Sequence, residues 1–300
     1  MISSIRTDLA MEAEQIFRES GHGEGEIEGI RSSIRSEQGF TVHTLEVLDP
    51  RGEEAIGKGV GRYITLEADG LIRRDEDAFS IACKLLAREL RSLVSLPVSS
   101  SILVIGLGNR DITPDALGPL AVEKIMVTRH LKKALPKDFG AFRSVSALCS
   151  GVLGTTGIES GDFIAAMCQK LRPAAVIAID ALASRSSSRL CRTVQLCDSG
   201  ITPGSGVGNP RQALSRESLG VPVIAVGVPT VVDAATLCAD MLTEAGLELG
   251  GDALPQPRGM FVTTRDIDRC VGDMAKLIGY GINLALHEGI EIEDVDMFLG

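Results

Sequence analysis

The chain has no tryptophan, and only 3% of its 300 residues are aromatic. Proteins that read unpaired bases stack them on aromatic rings, so the composition argues against that class. A basic surplus is also missing. Forty Asp and Glu against thirty Lys and Arg leave a formal net charge of −10, the wrong sign for gripping a phosphate backbone. Such a surface suits solubility and a basic or neutral partner. No stretch of about 18 uncharged apolar residues is available to span a bilayer. The N-terminus, MISSIRTDLAMEAEQ, carries Arg6, Asp8, Glu12 and Glu14 where a secretory signal would be apolar. The seven cysteines are scattered without a CxxC pair. With an odd count they read as reduced thiols of a cytosolic protein. His22, His43, His130 and His287 are the only histidines. None falls in a candidate site loop, so a tetrahedral zinc site has no candidate spacing. GxSxG is absent too, which argues against a serine nucleophile.

What is present is a strand–helix alternation. Residues 8–20 read as a short amphipathic helix with Leu9, Ala13, Ile16 and Phe17 on one face. FTVHTLEVL (40–48) and VGRYITLE (60–67) alternate like strands, and 76–95 looks helical. From about Ser99 the pattern changes. SILVIGL (101–107), 142–148, AAVIAI (174–179), 193–196 and VPVIAV (221–226) are strand candidates. The most continuously apolar of them suit a sheet covered on both faces. Helices are expected over 161–171, from a cap at Asp233 to Gly246, and after a capping box of Thr263 and Asp266. This is the pattern of a layered α/β domain with a largely parallel central sheet and a small N-terminal β element. The expected division is 1–8, then 9–98 packed on the main domain, then 99–300 as that domain.

In such sheets ligands sit beyond the carboxyl ends of the strands. Asp115 lies in GLGNRDITPDALGP after the first main strand, and Asp180 closes the strand AAVIAI. If those strands are neighbours, the two carboxyls reach one site. Such a pair shares a proton, activates a water as base and protonates a leaving amine as acid. Asp115 equally suits a helix cap, and Asp180 a carboxylate bonded to backbone N–H groups. Three glycine-rich loops surround the crevice. Gly106 and Gly108 hint at a dinucleotide fingerprint, but Asp111 stands at its third glycine position. The 150–157 loop, with Gly154, Thr155 and Thr156, precedes a helix and could offer backbone donors. The 201–209 loop, with Gly204, Ser205 and Gly206, allows close passage of an extended ligand.

The same residues carry a family resemblance. RTDLAMEA (6–13), VIGLGNRDITPDALGP (104–119), GVLGTTGIES (151–160), AVIAIDALASRS (175–186), DSGITPGSGVGNPR (198–211), LGVPVIAVGVPTVVDA (219–234) and GINLALH (281–287) resemble the germination protease family of endospore-forming bacteria. Arg110 departs from the expected pattern, and Glu248–Arg258 is short for the family. The resemblance implies an endopeptidase that starts degradation of small acid-soluble spore proteins in the cytoplasm of the forespore and spore core. It also implies a fold akin to the hydrogenase-maturation peptidases and a homotetrameric zymogen that processes itself. Residues 1–8 would then be a propeptide cut between Asp8 and Leu9. Asp115 and Asp180 would be the two essential aspartates. With no His or Cys cluster near them, activity without added metal or cofactor is expected, although a hard cation on the two carboxylates is the alternative; charge and hydropathy point to no direct nucleic-acid partner and no membrane. The alternatives are a metal-dependent maturation peptidase of the same fold and a nucleotide-binding module using Gly106 and Gly108.

Overall fold

A computed structural model describes residues 5–23, 25–68, 77–246 and 259–300. The expectation for 248–258 lies outside the described residues.

Among the described residues, nine strands form one sheet: β1 (Ile30–Glu37), β2 (Phe40–Val47), β3 (Gly61–Glu67), β4 (Ser101–Leu107), β5 (Ser144–Gly151), β6 (Ala175–Ser184), β7 (Thr193–Cys197), β8 (Val223–Asp233) and β9 (Phe261–Val262). Their order is β1-β2-β3-β7-β8-β6-β4-β5, with β9 beside the far end of β8. β5, β4, β6 and β8 are parallel, while β7, β3, β2 and β1 continue the sheet antiparallel. The residues over 30–67 therefore extend the main sheet through the β3–β7 pairing.

Side chains alternate across this sheet, and the alternation sorts them into two layers. On one face, Ile102 and Val104 of β4, Ile177 and Ile179 of β6, and Ile224 and Val226 of β8 pack under the long helices Ala78–Leu93 and Ile267–Leu286. The two helices approach closely, because Gly281 lies against Leu86 with no room for a methyl group. The short helix Leu117–Val122 completes this layer. On the other face the cover is divided. Helix Ser160–Leu171 lies over Leu103, Ile105, Val176 and Ala178. Helix Ala10–Phe17 lies with helix Pro50–Ile56 over Leu45, Tyr63, Cys197 and Ala225. A cleft remains between these two groups.

Several local expectations change. Residues 7–9 are not helical. Asp8 N–H donates to the Ala183 carbonyl at 2.8 Å, and the Ala183 N–H donates to the Asp8 carboxylate at 2.9 Å, so the segment docks on the end of β6 in extended form. The capping box at 263–266 does not form. Thr263 bonds the Thr230 carbonyl instead, and no side chain caps the helix at Asp266. The Asp233 cap is present, its carboxylate accepting from Thr236 N–H at 3.0 Å. β8 runs on through Gly227 and Pro229 to Asp233. A register shift between Leu182 and Ala183 on β6 absorbs the proline, which cannot donate to a ladder.

Candidate active site

The cleft encloses about 1070 Å³ and is lined by residues of many segments, among them Asp8, Lys58, Asp115, Gly154, Asp180, Gln195, Gly204, Ser205 and Gly206. That volume is at the upper end for a small-ligand pocket and suits a length of peptide.

Register places the polar groups. Asp180 pairs across β8 at Gly227, and Gly227 pairs in turn with Gln195 of β7. Residues in such a row point to the same face, so Asp180 and Gln195 look into the cleft from two strands apart, roughly 10 Å along the hydrogen-bonding direction. Gly227 between them leaves its space to the Leu182 side chain. Asp115 arrives from the end of β4, on a tight turn (Thr113–Asp115) where Pro114 sets the chain direction. Its carboxylate accepts from the Asn109 N–H at 2.8 Å. This fold-back requires glycine at 108. The residue has φ +101, and any Cβ there would collide with Asp115. Gly106 likewise lies hard against the Gly118 carbonyl. The glycines that hinted at a dinucleotide fingerprint thus make room for Asp115 and the following helix, and that space is not open to a pyrophosphate.

Asp180 is 5% exposed. Burial pushes its pKa well above the ordinary carboxylate value. The charges of Asp115 and Asp8 push the same way, and one N–H bond from Ala181 opposes them. Asp115 is half-buried. Its pKa is also raised by burial, against the stabilising Asn109 N–H. Both carboxyls are therefore shifted toward the protonated form, the more deeply buried Asp180 more strongly. Among the described residues, no group of three or more His, Cys, Asp or Glu is placed to hold a metal ion.

The N-terminal segment occupies the cleft beside this pair. The Asp8 carboxylate accepts from Ala183 N–H at 2.9 Å and from Ser205 Oγ at 2.8 Å. Gly206 presses against that carboxylate so closely that a Cβ would lie 2.0 Å from Oδ2. Leu9 is fully buried. Glu12, 1% exposed, accepts from the N–H groups of Arg185 at 2.7 Å and Ser186 at 3.1 Å, and pairs with Arg189 at 3.1 Å. Asp8, Asp115, Asp180, Gly154, Gly204, Ser205 and Gly206 are thus brought together. Thr155 and Thr156 do not line the cleft, because both hydroxyls turn back to the Val152 carbonyl. Arg110 points to Glu123. Sequence reasoning missed Lys58 and Gln195. Only the latter left a signal, an amide in the middle of the short strand TVQLC, every residue of which is buried.

Comparison with known proteins agrees with the motifs. The profile of the germination protease family matches residues 7–250. The germination protease of Caldanaerobacter subterraneus is 42% identical, the match covering 100% of this chain and 99% of that protein. That of Clostridium tetani is 40% identical, over 99% of each. Among solved structures, a nickel–iron hydrogenase maturation protease from Thermococcus kodakarensis aligns with 65% of this chain and 98% of its own, at 17% identity and a TM-score of 0.34. No described helix is long and apolar enough to cross a membrane. The profile match and the full-length identities settle the classification: the chain belongs to the germination protease family.

Proposed function

We propose that this chain is an endopeptidase that opens the degradation of small acid-soluble spore proteins at germination, made as a zymogen that removes its own residues 1–8. It would act as a homotetramer in the cytoplasm of the forespore and spore core. The observation that supports the reading most is the seating of Thr7 and Asp8 in the cleft that holds Asp115 and Asp180, with Glu12 anchored on the Arg185 N–H beyond it. This segment has an acidic residue, then an apolar one, then a second acid at Glu12.

The chemistry follows from the unequal carboxyls. Asp115, the more easily ionised, takes a proton from a water that adds to the carbonyl carbon after Asp8. Asp180, holding its proton, delivers it to the Leu9 nitrogen as the C–N bond breaks. The products are a carboxyl on Asp8 and an amine on Leu9. Acidic side chains before the cut meet Ser205 and the Ala183 N–H. The glycines at 204 and 206 let the 201–209 loop close over the chain, and the Gly154 loop forms the opposite wall.

Asp115→Asn and Asp180→Asn test the pair. Each should lower cleavage of a small acid-soluble spore protein by at least about 10⁴-fold, the scale of losing a reacting group, with an unchanged circular dichroism spectrum. A strong chelator should leave the wild-type rate unaltered. Near-normal cleavage by either variant removes that residue from the mechanism, and a metal-restorable loss favours the metal-dependent alternative.

A further inference from the structure

The Asp8 carbonyl has two side-chain donors. Lys58 Nζ approaches its oxygen at 3.1 Å and Gln195 Nε2 approaches it at 3.1 Å. Each donor is itself held. Gln195 is buried in β7, and its Oε1 accepts from the Ala10 N–H at 2.7 Å, which fixes the amide so that Nε2 faces Asp8. Lys58 Nζ also binds the Thr7 carbonyl at 3.0 Å, so the ammonium bridges two consecutive carbonyls on the acidic-residue side of the Asp8–Leu9 bond. Neither donor is needed to hold Asp8 in place, since the Ala183 backbone and Ser205 already do so.

We propose that Lys58 and Gln195 form an oxyanion clamp for the scissile carbonyl, in self-processing and in cleavage of separate substrates. This rests on the peptidase reading above. When water adds to the carbonyl carbon, the C=O π pair moves onto the oxygen, and the Lys58 ammonium and the Gln195 N–H face the resulting negative charge. They hold it until the pair returns to re-form C=O and the C–N bond breaks. Both donors already lie 3.1 Å from the ground-state carbonyl oxygen, and a donor aimed at that oxygen gains as negative charge develops on it. Burial lowers the pKa of the Lys58 ammonium, with the nearby Asp8 charge opposing. An anion forming on the Asp8 oxygen would push the other way and favour the charged ammonium. The usual aspartate pair then moves protons without also having to neutralise the oxyanion. The same two residues would act on any bound peptide, because they read only the main chain.

Two measurements test the clamp. The first uses processed enzyme and a synthetic peptide of residues 5–14. Gln195→Glu keeps the acceptor for Ala10 but removes the donor to the carbonyl, and Lys58→Met keeps the stem but removes the ammonium. Each should lower kcat about 100-fold with KM within about threefold, and Lys58→Arg should recover part of the loss. An anchoring role alone would instead raise KM or leave the peptide rate untouched, and either result overturns the clamp. The second measurement needs no catalysis. Asp8–Leu9 is the only Asp–Leu dipeptide in the chain. Carbonyl-¹³C aspartate with ¹⁵N leucine therefore yields one coupled signal from full-length Asp180→Asn protein. Adding Gln195→Glu or Lys58→Met should move that carbonyl resonance upfield as a donor is lost. An unmoved resonance overturns the clamp, whereas cleavage surviving Asp180→Asn overturns the aspartate pair. The two failures are distinguishable.

Discussion

The two faces of the sheet are built to different ends. One is closed by a pair of long helices whose inward residues, such as Leu86, Leu90, Val271 and Ile278, are apolar and at most 1% exposed. The other is divided, and along its gap stand Asp8, Asp115, Asp180 and Gln195. Buried apolar area stabilises at about 25 cal/mol per Å². A buried carboxylate with a raised proton affinity costs stability. The difference teaches that the fold draws its stability from the sealed face and tolerates a strained, acidic site on the open one.

Exchanging the perturbation between faces is the strongest way to break this comparison. Leu86→Ala, on the sealed face, should cost about 2–5 kcal/mol and leave kcat unchanged below the melting transition. Gly206→Val, on the open face, should lower cleavage at least tenfold with a melting temperature within a few degrees of wild type, because the methyls would occupy the space of an acidic side chain. Thermal melting and peptide kinetics on both variants check this, and parallel losses of stability and rate in both would erase the distinction.

A smaller effect sharpens it. Asp180 has a folded-state pKa above its unfolded value of about 3.9. The folded state therefore binds that proton more tightly, and the stability so gained is present in acid and lost as pH rises through the folded pKa. Asp180→Asn should accordingly raise the melting temperature at neutral pH. The difference should shrink as pH falls and vanish below about pH 3.5. Melting curves across pH check it, and a variant less stable than wild type at neutral pH would contradict the strained-site account.

How much of this was legible in the sequence follows the same division. The buried parallel strands announced themselves as apolar runs, and the carboxylates stood out because they closed them. β1 was not legible. IRSSIRSE has no alternation, and its pairing to β2 on one side only leaves Ile34 exposed, as an edge strand allows. The far half of β8 was hidden by Gly227 and Pro229, which read as a stop until the bulge on β6 is seen. The amphipathic pattern over 8–20 suggested one helix, but Asp8 is held by a partner 175 residues away, and no local pattern encodes that contact. For the same reason Lys58, in a loop with no periodicity, gave no sign of its place beside the Asp8 carbonyl.

The most direct test of the account is the N-terminus itself. Acid should bring the aspartate pair into its singly protonated form, so purified full-length protein is incubated at mildly acidic pH and its mass followed. The account predicts loss of residues 1–8 from the wild type and an intact chain in Asp180→Asn. A wild-type chain that remains whole from Met1 while cleaving spore protein at full rate would contradict it.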